Sequence, residues 1–152
     1  MSENTQTFSE TTISDDHMSR KRILLADDQA EMLDELRSLL GTEYDIVGAV
    51  ENGEKLVQAA RSLKPDLIVS DVSMPVMTGF EAAAKIREAG VASKIIFLTV
   101  QSSSSYLKKA RALGADGYVL KVYTYEQLPI AISRVLSGIP FFSPELRSSF
   151  RN

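Results

Sequence analysis

The sequence predicts an α/β protein built on a doubly wound parallel sheet of five strands. From Arg22 onward, short β-branched runs alternate with amphipathic helical stretches, turn residues separate them, and several runs are apolar throughout. Such alternation points to βα units with parallel pairing. An unbroken apolar run fits a strand covered on both faces.

The first strand is expected from Arg22 to Ala26. Met32, Leu33, Leu36, Leu39 and Leu40 then make one helical stripe, which Gly41 is placed to end. The second strand runs from Tyr44 to Val50, and Leu56, Val57, Ala60 and Leu63 form a second stripe before Pro65. Leu67 to Ser70 is the third strand, and a helix from Phe80 to Ala89 follows it. Lys94 to Thr99 is the fourth, with a helix from Ser103 to Leu113 closed by Gly114. Asp116 to Leu120 is the fifth, and Leu128, Ala131, Ile132, Val135 and Leu136 mark the last helix. Thr124 and Gln127 have the spacing of a capping box, but Pro129 would fall just past the first turn, so a late or irregular start is expected. "QSSSSY" reads as a loop with a cap for the fourth helix.

The chain has 152 residues, the length of one ordinary domain, with 44% apolar and 24% charged residues. No apolar run reaches the roughly 20 residues that span a bilayer, so a soluble protein without a membrane partner is expected. The net charge is −3, but all 17 basic and only 16 of the 20 acidic residues lie in 20–152, which therefore carry +1. That is not the balance of a basic nucleic-acid binder. Cysteine is absent and His17 is the only histidine, which excludes disulfides, thiolate metal sites, imidazole-based zinc sites and a Ser-His triad. Residues 1–19 are rich in Ser and Thr, poor in apolar residues and lack the pattern of a secretory signal, so they read as a disordered tail. Met18 could be an alternative start, and cytoplasmic residence is the default. The expected organisation is a tail over 1–19, one domain over 20–140, and a C-terminal segment or start of a linker over 141–152. Neither an internal repeat nor a second domain is visible.

In an open parallel sheet, ligands bind beyond the carboxyl ends of the strands. The polar residues of interest all fall there: Asp27 and Asp28 after the first strand, Asp71 after the third, Thr99 ending the fourth and Lys121 ending the fifth. Each alone has a plainer reading, as a helix cap, a turn residue, a strand residue or a solvated lysine. Together they make a site. Three carboxylates in one crevice repel unless a cation shares it, and magnesium prefers such hard oxygen ligands and completes its shell with water and phosphate. A carboxylate nucleophile, a metal, a hydroxyl and an ammonium are the parts of phosphoryl chemistry.

The set "LLADD", "DLIVSDVSMPVMTGFE", "IIFLT" and "GADGYVLK" closely resembles the receiver domains of two-component response regulators, over Lys21 to Gly138. The resemblance implies a flavodoxin-like (βα)5 fold with strand order 2-1-3-4-5. It implies that Asp71 accepts a phosphoryl group from a histidine kinase and that Asp27 and Asp28 hold magnesium, Asp28 directly and Asp27 through water. Ser73 would add its backbone carbonyl to the metal. Thr99 would hydrogen-bond the phosphoryl group and Lys121 would pair with it, while Tyr118 would turn as Thr99 moves. Pro75 and Gly79 match the shaped loop beside the acceptor.

Output would pass through the fourth helix, fifth strand and fifth helix, with homodimerisation on that face one form of it. Such a domain is a phospho-acceptor rather than an enzyme and has no direct contact with nucleic acid. Val100 stands where many receivers have a small residue and Val122 where many have proline. Both departures, and "SGIPFFSPEL", resemble receivers joined to LuxR-type transcription domains. Two other readings compete. A phosphatase or phosphotransferase of the haloacid-dehalogenase kind also uses a strand-end Asp, but carries a second Asp two residues later, where this chain has Ser73. A pseudo-receiver would bind partners without phosphorylation.

Overall fold

Successive side chains of a strand point to opposite faces of its sheet, and in this chain both sets are apolar. The computed structural model describes residues 20–146. Five helices and six strands alternate: β1 Arg22–Ala26, α1 Ala30–Leu40, β2 Asp45–Val50, α2 Gly53–Leu63, β3 Leu67–Ser70, α3 Gly79–Glu88, β4 Lys94–Thr99, α4 Ser104–Ala112, β5 Gly117–Leu120, α5 Thr124–Leu136 and β6 Phe141–Phe142. All pairings are parallel, in the order β2-β1-β3-β4-β5-β6.

Ile23, Leu25, Leu67, Val69, Ile96, Leu98 and Val119 pack against Leu36 and Leu40 of α1 and Leu128, Ala131, Ile132 and Val135 of α5. Their alternates, Leu24, Ala26, Ile68, Ile95, Phe97 and Tyr118, meet Leu56 and Ala60 of α2, Phe80 and Ile86 of α3, and Leu107 and Ala110 of α4. The chain after β1 therefore leaves by one face and the chain after β3 by the other. This divergence opens a crevice between their carboxyl ends.

The predicted elements are present, and β6 is added at the edge of β5. The last helix starts irregularly, though not late: a 3-10 turn over Lys121–Tyr123 runs straight into Thr124, with Pro129 inside the helix. The Thr124 and Gln127 spacing does not form a capping box, because Thr124 Oγ1 instead donates to the Lys121 carbonyl at 2.6 Å. A full capping box stands at α3, between Thr78 and Glu81. Ser103 occupies the cap position of α4 without a side-chain cap bond. The expected tail over residues 1–19 lies outside the described residues. Among those described, no helix is long and apolar enough to cross a membrane.

Candidate functional site

Asp27 is the first residue after β1, and its N–H still bonds Val50 O at 3.0 Å, so the strand register aims its side chain into the crevice. One carboxylate oxygen accepts from the Gln29 amide at 2.9 Å and the other lies 2.8 Å from Lys121 Nζ. The cap position of α1 belongs to Gln29, without a side-chain cap bond. The acidic pair thus does not cap the helix. Asp28, next in the loop, is exposed.

Asp71 follows β3 in the same way, with its N–H bonded to Ala26 O at 2.9 Å. Its Oδ1 accepts from Val72 N at 2.7 Å and, at 3.4 Å, from Ser73 N; its Oδ2 accepts from Lys121 Nζ at 2.8 Å. Carboxylate oxygens of Asp27, Asp28 and Asp71 lie within 4.8 Å of one another. Lys121 reaches this group from the end of β5, two strands away.

Burial raises the Asp27 carboxyl above its ordinary value, outweighing the lowering from Lys121 and Gln29. Burial pulls the Lys121 ammonium down, but its hydrogen bonds to Asp27 and Asp71 and their charges overcome it, so its pKa is raised. The lysine is held charged between two carboxylates.

Thr99 and Tyr118 are both fully buried and meet at a residue that sequence reasoning missed. Thr99 Oγ1 accepts from the Gln101 amide at 3.3 Å, and the Tyr118 hydroxyl donates to the Gln101 carbonyl at 2.6 Å. Burial pushes the Tyr118 phenol up, so it remains a donor. A polar residue opening a serine run carries no signal of this role.

Two glycines shape the loop between Asp71 and α3. A Cβ on Gly79 would stand 2.0 Å from the Asp71 carbonyl oxygen, and one on Gly53 would stand 2.2 Å from that of Met77. Gly79 was part of the expected loop; Gly53, at the start of α2, was not foreseen because its contact is remote in sequence. Between them Val76 is held at φ 70° and is 77% exposed.

The donor set suits magnesium. All three side chains offer hard oxygens close enough to share one small ion, and Lys121 supplies one positive charge against three negative. Ser73 is exposed beside them. The site is a charged mouth, with Asp27 and Asp71 buried in it and Asp28 exposed at its edge. A cleft of about 500 Å³ lies at the other end of the sheet among Lys64, Pro65, Asp66 and Ser93.

The profile described as "Response regulator receiver domain" matches residues 23–133. The chain is 38% identical over 127 residues to the uncharacterized transcriptional regulatory protein YvfU of Bacillus subtilis, covering 82% of this chain and 64% of that one. It is 37% identical over 118 residues to the chemotaxis protein CheY of Halobacterium salinarum, covering 78% of this chain and 98% of that one. A LuxR-family two-component response regulator from Aurantimonas superposes with a TM-score of 0.83 at 30% identity, over 88% of this chain and 96% of that structure. The chain thus spans just under two thirds of the Bacillus regulator's length and nearly all of the chemotaxis protein's. Because the family match runs from β1 into α5 and takes in every side chain that meets at the mouth, the chain belongs to the response regulator receiver domains of two-component systems.

Proposed function

We propose that Asp71 is the phospho-acceptor of this receiver and that its donor is the phosphohistidine of a histidine kinase. The observation that carries the reading is the convergence of Asp27, Asp28, Asp71 and Lys121 on one crevice at the β1/β3 divergence. An Asp71 carboxylate oxygen attacks phosphorus, the P–N bond breaks, and the imidazole leaves with the bonding pair and takes up a proton. The Lys121 ammonium, already beside Asp71, balances charge on the transferred group.

Magnesium would be held by Asp28 and Asp71, by Asp27 through water, and by the Ser73 carbonyl, and it supplies charge neutralisation for the incoming phosphoryl oxygens. Thr99 turns its hydroxyl from Gln101 to the phosphoryl group. Tyr118, bonded to the same Gln101, follows. The chain acts as a cytoplasmic signalling module, not as an enzyme with a diffusible substrate, and makes no direct contact with nucleic acid. Its output passes through α4, β5 and α5, as changed protein contacts that include self-association. Any transcriptional role resides in a segment like those that complete the longer relatives.

Incubation with a small-molecule phosphodonor such as phosphoramidate tests this. Magnesium-dependent addition of one phosphoryl group that Asp71→Asn abolishes is expected; addition that is unchanged in Asp71→Asn refutes the assignment.

A further inference from the structure

Beyond α5 the chain returns to the sheet. Phe141–Phe142 adds β6 to the outer edge of β5, with Phe141 N–H donating to Asp116 O at 3.1 Å. Ser143, next in line, is completely buried. Its N–H donates to Tyr118 O at 2.8 Å. Its hydroxyl donates to Gln127 Oε1 of α5 at 2.6 Å and accepts from Leu120 N at 3.1 Å. The Arg111 guanidinium of α4 lies 4.0 Å from the centroid of the Phe142 ring, and Leu146 is buried in the same core as Tyr118. Residues 140–146 are thereby tied to α4, β5 and α5 at once.

We propose that this segment is a strap, closed over the α4–β5–α5 face in the unphosphorylated protein and released when Asp71 is phosphorylated. The proposal rests on the phospho-acceptor reading. Its force lies in where the strap is fastened. Ser143 bonds Tyr118 and Leu120: the first shares Gln101 with Thr99, and the second immediately precedes Lys121, which bonds Asp71.

A phosphoryl group on Asp71 inserts between that carboxylate and Lys121, so Lys121 must re-aim and the Leu120 amide moves with it. Thr99, on turning to the phosphoryl oxygens, gives up the Gln101 amide and unsettles the partner of the Tyr118 hydroxyl. Both movements fall on Tyr118 and Leu120, the two β5 residues that bond Ser143. A strand of two residues has few other ladder bonds to keep it in place. Release uncovers Phe141, Phe142 and the side of Leu107, changing the face from covered to apolar and open. The β5 edge on which a second copy could dock is therefore closed by the chain itself until the site is modified.

Hydrogen exchange on the full chain, with and without magnesium and beryllofluoride as phosphoryl mimic, tests this. With the mimic, the amides of Leu120, Phe141, Ser143 and Leu146 should exchange at least about tenfold faster, the change expected from losing one or two buried hydrogen bonds, while those of Val72 and Ser73 slow. Slowed site amides with an unchanged or slower strap overturn the strap and leave the phospho-acceptor reading intact. No response at Val72 and Ser73 overturns both.

Ser143→Ala should speed exchange across 141–146 without the mimic, with Ile68 and Val69 amides still protected. Gln127→Met, which removes from α5 both the acceptor of the Ser143 hydroxyl and the Nε2 donor to Glu145, should do the same and serves if the first variant does not fold. A strap equally protected without these groups overturns their role as its latch.

Discussion

Lys121 Nζ lies 2.8 Å from Asp71 Oδ2 and, on its other side, 2.8 Å from Asp27 Oδ2. One ammonium from the end of β5 thus joins carboxylates from β1 and β3, with β4 between. The Lys121 side chain is 15% exposed, so the bridge is largely shielded from water. Lys121→Met should lower stability by about 1–2 kcal/mol in magnesium-free buffer, less than for a fully buried pair, because two facing carboxylates lose their counter-charge. Magnesium should recover most of that loss. Denaturant titrations with and without the metal check this, and a variant as stable as the parent in magnesium-free buffer contradicts it.

The raised pKa of Asp27 sets the sign of a second effect. A carboxyl whose folded pKa exceeds its ordinary 3.8 is ionised in the fold at a cost, so the charge destabilises the metal-free protein above the folded pKa. Asp27→Asn should therefore raise the Tm at pH 7 without magnesium. The gain should shrink as pH falls through the folded pKa and vanish below 3.8, where the carboxyl is neutral in both states. The same variant should bind magnesium more weakly. A Tm advantage that grows on acidification would show that burial is not its cause.

Gly79→Ala forces a Cβ to within 2.0 Å of the Asp71 carbonyl oxygen, so α3 or the acceptor loop must shift. A loss of about 1–3 kcal/mol is expected from such overpacking. Phosphodonor labelling of Asp71 should fall with it, since the 2.7 Å bond from Gly79 N to Val72 O positions the loop. Labelling at the parental rate would mean that this close approach does not set the acceptor's geometry.

Val76 holds a β-branched residue at φ 70°, a left-handed conformation that glycine adopts without penalty. Because its side chain is largely exposed, little packing is lost on removing it. Val76→Gly should raise stability by roughly 0.5–1 kcal/mol after the entropy of the added glycine is counted. A drop in the denaturation midpoint would show instead that the Val76 side chain has a stabilising contact.

The five βα units and the strand-end positions of Asp27, Asp28, Asp71, Thr99 and Lys121 were legible because apolar runs stop where the crevice begins. β6 was not. Phe141–Phe142 sits close to Pro140 and Pro144 and is too short to show a period. Cap-like spacing is a weak guide because Thr and Asp side chains have competing local partners: Thr124 turns back to Lys121 O, and Asp27 folds onto Gln29 N while its other oxygen serves Lys121. Gln101 and Gly53 act through contacts with Tyr118 and with the Met77 carbonyl, which are pairings that spacing along the chain does not encode.

The most direct measurement locates the phosphoryl group itself. After modification with phosphoramidate and magnesium, borohydride reduction converts an aspartyl phosphate to homoserine, and peptide mass mapping then identifies the residue. Conversion at Asp71, absent without magnesium and absent in Asp71→Asn, is the predicted result. Conversion at Asp27 or Asp28, or a phosphoryl group on a hydroxyl that borohydride leaves untouched, would contradict the account.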